Sequence, residues 1–262
     1  MLVFSAILPH SPLLIENVGK ENTKKLEHTI NALKKLEEDF YASKPETVII
    51  LTPHTHVHGN SFMINFAPKF TAKLKDFGDF HTSDIYYGDN GLAHIIKEHL
   101  ETKLPLQLTT IKNLDYGSII PLCFLTAHHK EIKIIPISYS NNASFADHFN
   151  FGEELAEQIN HTNKRVAVIA SAELSHKLTK DAPDGYVSGA KKFDQKIIDL
   201  LKKKKITEIL ETETKQVDRV GATEFKSLLI LLGILAEHHY TPEFLSYEGP
   251  FGAGYLVMNF EM

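Results

Sequence analysis

Short apolar runs that separate longer helical stretches constrain this chain more than any other feature. Leu2 to Leu8, Glu46 to Thr52 with its Val48-Ile49-Ile50-Leu51 centre, Ile132 to Ser138 and Arg165 to Ser171 are strand-sized and almost continuously apolar. A strand that is apolar on both faces must be covered on both. Between these runs the spacing becomes helical, at about Lys20 to Ala42, Ser118 to Ala127 and Phe145 to Asn160, with a further strand at Leu106 to Ile111. This alternation predicts the α/β class: a single domain whose central, largely parallel or mixed sheet is flanked by helices on both faces. Beyond Ser171 the pattern predicts helices near Val187 to Lys204 and Glu224 to His238. Two terminal strands follow, Phe244 to Tyr247 and Gly254 to Phe260, placed to form an antiparallel edge.

A length of 262 residues fits one large α/β domain, so residues 1–262 are read as one unit. The net charge of -5, without a basic stripe, removes the attraction that nucleic-acid binding requires. The one basic run, Lys202 to Lys205, follows an apolar helical pattern and reads as a solvated helix end. A single cysteine excludes an internal disulfide and a cysteine-based zinc site; Cys123 reads as a small core residue, and the chain suits a reducing compartment. Leu2 to Leu8 lacks a basic flank and is too short to span a bilayer, which predicts a first strand and a cytoplasmic protein without membrane contact. No P-loop or dinucleotide fingerprint is present, and Gly249 to Gly254 is too irregular to cradle a phosphate.

Ligands of open α/β sheets bind beyond the carboxyl ends of strands, so polar residues just after apolar runs have the greatest weight. His10 follows the first run between Pro9 and Pro12; it is a candidate ligand or a loop histidine bonded to a carbonyl. His54, His56 and His58 alternate after the second run, as metal ligands or as a polar lip, with His54 the first choice and His56 the second. His176 follows the fourth run, where an imidazole can take and return a proton near neutrality. Glu173 beside it is either its partner or an exposed turn carboxylate. Glu224 opens the apolar stretch Leu228 to Leu235, a position that the helix dipole alone would favour. Two histidines and one carboxylate form the facial triad typical of non-haem ferrous iron.

Several segments resemble one family in order and spacing. They are Leu8-Pro9-His10-Ser11-Pro12-Leu13-Leu14, Thr52-Pro53-His54, Leu114-Asp115-Tyr116-Gly117-Ser118-Ile119-Ile120-Pro121-Leu122, Ala170-Ser171-Ala172-Glu173-Leu174-Ser175-His176, Asp181 to Tyr186 and Tyr247 to Tyr255. Nearly end to end, the chain resembles the class III (LigB-type) extradiol ring-cleavage dioxygenase superfamily, in its AmmeMemoRadiSam system protein B and Memo-like branch. The resemblance implies a LigB-like, phosphorylase/hydrolase-like fold and a ferrous ion held by His10, His54 and Glu224. It implies His176 as the acid/base near a bound catechol, and places Tyr116, His56, Asp115 and Glu173 around substrate or behind the ligands. The reaction it implies inserts both atoms of O2 beside a vicinal diol of a small aromatic substrate.

The family's usual Asp-His-Gly reads Asp115-Tyr116-Gly117 here, so a phenol replaces an imidazole. Val220 stands where Memo-like relatives carry a cysteine, which favours Glu224 as the third ligand. Two further readings use the same residues: a Memo-like metal-binding partner protein without oxygenase activity, and a zinc-dependent hydrolase, since two histidines and a glutamate also bind catalytic zinc. Zn(2+) is also expected to replace Fe(2+) in some recombinant preparations. The sequence leaves homo-oligomerisation open.

Overall fold

The computed structural model describes residues 1–55, 60–129 and 131–262. The expected strands form within a few residues of their predicted limits, as β1 (Leu2–Leu8), β2 (Thr47–Thr52), β6 (Leu106–Thr109), β7 (Lys133–Ser138), β8 (Val166–Ser171), β9 (Thr241–Glu248) and β10 (Tyr255–Glu261), and three unexpected strands join them, β3 (Phe62–Asn65), β4 (Lys69–Lys73) and β5 (Ser83–Gly88). All belong to one mixed sheet with the path β4-β5-β7-β2-β8-β1-β10-β9. Strands β5, β7, β2, β8 and β1 run parallel, while β4, β10 and β9 pair antiparallel with their neighbours. Strand β7 shares one edge between two partners, β5 at its start and β3 toward its end, and β3 in turn carries β6.

The helices are α1 (Glu16–Gly19), α2 (Glu27–Ser43), α3 (Asn90–Leu100), α4 (Tyr116–Leu125), α5 (Phe145–His161), α6 (Ala190–Lys202), α7 (Ile206–Leu210), α8 (Thr214–Val220) and α9 (Phe225–Leu235). Successive side chains of a strand point to opposite faces, so each central strand feeds two cores. Ile49, Leu51, Ile135 and Val168 pack with α3, α5, α6 and α9, whereas Val48, Ile50, Ile134 and Ile169 pack with α2 and α4. Helices α5 and α9 cross closely at Gly152 and Gly233, where a methyl on Gly233 would lie 2.0 Å from the Phe149 carbonyl oxygen.

The region between β2 and β6 is richer than the alternation predicts. Strand β4 lies at the sheet's edge with β5 next to it, and both bury only every second residue or fewer, so no continuous apolar run marks them. Helix α3 is fixed by Asp89, whose side chain accepts from the Leu92 N–H at 3.2 Å. Two other expectations need correction. Cys123 is half-buried against the edge of one core rather than inside it. The lysines that end α6 also do more than meet solvent: Lys202 Nζ lies 3.8 Å from the Phe244 ring and Lys204 Nζ 4.6 Å from the Tyr240 ring.

Asp89 supplies a pH prediction. Burial pushes its carboxyl up, but hydrogen bonds from Lys164, Thr47 and the Leu92 N–H outweigh burial and hold it below the usual carboxylate value. A group depressed in the folded state contributes stability that is present above its unfolded pKa and is lost as pH falls through its folded pKa. The melting temperature is therefore expected to hold from neutrality down to about pH 5 and then to fall as the acid range of an ordinary aspartate is entered. Asp89→Asn is expected to cost about 2 kcal/mol at pH 7 and to flatten that decline. Equal acid slopes for the two proteins in thermal melts would show that this pair is not responsible.

Candidate metal centre and active site

Strands β2, β8 and β1 are neighbours, and their parallel register aligns Leu51 with Ala170 and Leu8 with Ser171. Their carboxyl ends therefore open at one level. His10 and His54 each follow the end of their own strand by two positions, and Glu173 follows β8 by two. Three distant stretches of sequence thus deliver polar side chains to one rim of the sheet.

The two histidines meet directly. His54 Nε2 stands 2.9 Å from His10 Nε2, with the rings edge to face at a centroid distance of 4.7 Å. His10 is 2% exposed, and its other nitrogen, Nδ1, lies 3.0 Å from Ser171 Oγ. Ser171 Oγ in turn donates to the Gly117 carbonyl at 2.6 Å. Burial first, then the proximity of His10, pushes His54 down to about 4, which leaves that ring neutral at ordinary pH.

Glu224 stands at the N-cap position of α9, makes no capping bond with its side chain, and is 3% exposed. Thr223 Oγ1 donates to its Oε1 at 2.9 Å, while Oε2 lies 3.2 Å from His176 Nε2. Glu173, also buried, brings its Oε2 to 3.4 Å from the same nitrogen. Neither approach is aligned as a hydrogen bond: His176 Nε2 and Glu224 Oε2 are both buried without a hydrogen-bond partner. The contacts are ion pairs off the hydrogen-bond axis. Burial alone would lower His176, but the carboxylates of Glu173 and Glu224 prevail and raise it to about 10, so the imidazole is protonated at neutrality. Burial would raise Glu224, yet His176, followed by His10, holds it below its ordinary value.

Tyr116 stacks on His54 with ring centroids 3.9 Å apart, and Phe77 meets the Tyr116 ring edge-on at 5.2 Å. Burial, then the Glu173, Glu224 and Asp115 carboxylates, pushes the phenol to about 12, so it remains a hydroxyl. Asp115 faces the protein rather than the ring cluster. It accepts from Thr52, Thr55 and Ser118, and caps α4. Gly117 permits this crowding, because a Cβ there would lie 2.9 Å from both Asp115 Oδ1 and His54 Cδ2. His56 and His58 lie outside the described residues.

Sequence reasoning did not single out Ser171, Thr223 or Phe77. Ser171 had a usable signal, the one hydroxyl at the end of an otherwise apolar strand; Thr223 and Phe77 had none without the fold. The donor chemistry here suits a divalent cation: two imidazole nitrogens face each other, and a buried carboxylate oxygen lacks an aligned partner. Glu224 is paired with His176 rather than drawn up to the imidazoles. Among the described residues, the trio of His and Glu donors within 4.8 Å of one another is a different one, His99, Glu154 and Glu157. Lys103 Nζ already sits among those three, at 2.9 Å, 2.5 Å and 3.6 Å respectively, so their charge is answered by an ammonium.

No helix of the described residues is long and apolar enough to cross a membrane. Over the whole chain, the fold is similar to that of the uncharacterized protein JW3007 from Escherichia coli K12. The TM-score is 0.71 at 17% identity, and the match covers 98% of this chain and 99% of that one. In sequence, the chain is 29% identical over 265 residues to Protein CA_C1420 of Clostridium acetobutylicum, a match that covers 97% of this chain but spans only 56% of that relative's length. It is 25% identical over 256 residues to an Escherichia coli 3,4-dihydroxyphenylacetate 2,3-dioxygenase, covering 91% of this chain and 92% of that enzyme. Residues 5–258 match the family described as the catalytic LigB subunit of aromatic ring-opening dioxygenase, and the chain belongs to that family.

Proposed function

We propose that residues 1–262 form one extradiol-type dioxygenase domain that opens a catechol-like ring with O2, using Fe(2+) held by His10, His54 and Glu224. The observation that carries this reading is the pair of imidazole Nε2 atoms 2.9 Å apart, with the buried Glu224, paired with His176, in electrostatic reach of both. Ferrous iron, when bound, supplies the site at which a diol and dioxygen are brought together and activated. The chain's own residues do the rest. His176, whose affinity for a proton is raised by the carboxylates beside it, is the group placed to hold and pass a proton at the site. Tyr116 presents a neutral phenol, a hydrogen-bond donor to a substrate oxygen, and its ring fixes His54 by stacking. Asp115 holds the start of α4 so that Tyr116 stays against that ring. The family match and the distant ring-opening relative support the reaction class.

The test is oxygen uptake with a panel of catechols after anaerobic iron loading. Consumption coupled to a yellow ring-opened product is expected; none with any substrate at full iron occupancy defeats the proposal. Tyr116→His is expected to raise catechol turnover about tenfold, because a positioned acid/base group contributes roughly 10² or more and an imidazole exchanges protons near neutrality far better than this phenol. A rate equal to or below the parent's would mean that the phenol already does this work.

A metal-binding partner protein without oxygenation is the second reading, and the Tyr116 stack over His54 favours it by filling space beside a ligand. It predicts one bound metal, no oxygen uptake, and partner capture that survives His176→Ala. Elemental analysis of protein expressed without added metal separates iron from zinc.

A further inference from the structure

The Ile119-Ile120-Pro121 stretch lies inside α4, where a proline is costly: it has no N–H, and its ring crowds the carbonyl four residues back. That carbonyl belongs to Gly117. It is the same oxygen that accepts the Ser171 hydroxyl at 2.6 Å. Without Pro121, a backbone N–H at that position would share the Gly117 oxygen, as the Thr126 N–H and hydroxyl share that of Leu122, and would weaken its hold on the serine proton.

Ser171 has a single hydroxyl proton, and a carbonyl can only accept. With that proton committed to Gly117, Ser171 Oγ can only accept from His10 Nδ1, 3.0 Å away. In its neutral form the His10 ring therefore carries its proton on Nδ1, and Nε2, the nitrogen that faces His54 Nε2, is left as a bare lone pair. We infer that Pro121 and Ser171 form a tautomer lock. By giving its proton to Gly117, Ser171 fixes the imidazole in the form whose Nε2 can ligate, and the proline strengthens that bond by leaving the carbonyl without a helical donor. Both are positioning residues, and the inference rests on the metal reading of His10 given above.

The lock is testable without turnover. In metal-free protein with 13C/15N-labelled histidine, the ring shifts of His10, assigned by their loss in His10→Gln, report the tautomer. The parent is expected to show Nδ1–H. Ser171→Ala removes the acceptor, and Pro121→Ala returns a second donor to Gly117 that loosens the serine proton toward Nδ1, with the smaller effect of the two. Both variants are expected to move His10 toward Nε2–H and to weaken Fe(2+) or Zn(2+) affinity, measured against a chromogenic chelator, by about 10- to 100-fold. Pro121→Ala relieves a helix defect, so circular dichroism and melting are expected to show a folded protein in which only the tautomer changes. An Nε2–H tautomer in the parent overturns the lock, as does an unchanged His10 spectrum and affinity in both variants. A parent that keeps the Nδ1–H form but binds no metal sinks the metal reading while the lock stands.

Discussion

Replacing His54 by alanine is expected to abolish stoichiometric metal binding and to lower catechol-dependent oxygen uptake by more than about 10³-fold. A metal ion stabilises developing charge by several kcal/mol, and each 1.4 kcal/mol is about tenfold in rate. His10→Ala is expected to do the same, since the two Nε2 atoms face each other at 2.9 Å and neither ring alone completes the donor set. His54 is half-buried on a loop beyond β2, so its loss is expected to leave the melting temperature within a few degrees of the parent. Elemental analysis after dialysis, together with oxygen uptake, reads both effects. Near-stoichiometric metal retained in both variants would exclude these histidines as ligands.

Gly233→Ala is expected to cause a large loss of stability. The new Cβ would lie 2.0 Å from the Phe149 carbonyl oxygen and 3.0 Å from the Glu153 nitrogen, and both neighbours are backbone of α5, which cannot turn aside. Overpacking of this kind costs about 3 kcal/mol, or a fall of roughly 6–12 °C in Tm for a chain of this size. Gly152→Ala meets the Ile230 carbonyl at 2.1 Å from the other side and is expected to behave alike. Because α9 starts immediately after Glu224, separating the two helices is also expected to displace that carboxylate from His176. A variant that melts with the parent would mean that the helices can part without cost.

The sequence by itself determined the class of fold. Runs such as Val48 to Leu51 and Val166 to Ala170 are apolar at every position, and only a sheet covered on both faces buries both sides of such strands. It also placed His10 and His54 at strand exits, where backbone leaves the sheet and side chains are free to converge. Strands β4 and β5 and helices α7 and α8 escaped prediction, because partial burial leaves a weak pattern that neighbours must complete. Tertiary structure alone decided the electrostatics. That Glu224 pairs with His176, that Glu173 is buried beside it, and that the Ser171 proton is spent on the Gly117 carbonyl depend on which strand lies next to which. Local sequence sets the period and the punctuation of the chain. Hydrogen-bond partners such as Ser171 and Gly117, 54 positions apart, or Ser171 and His10, 161 apart, are not adjacent in sequence, and the register of β2, β8 and β1 helps to bring them together.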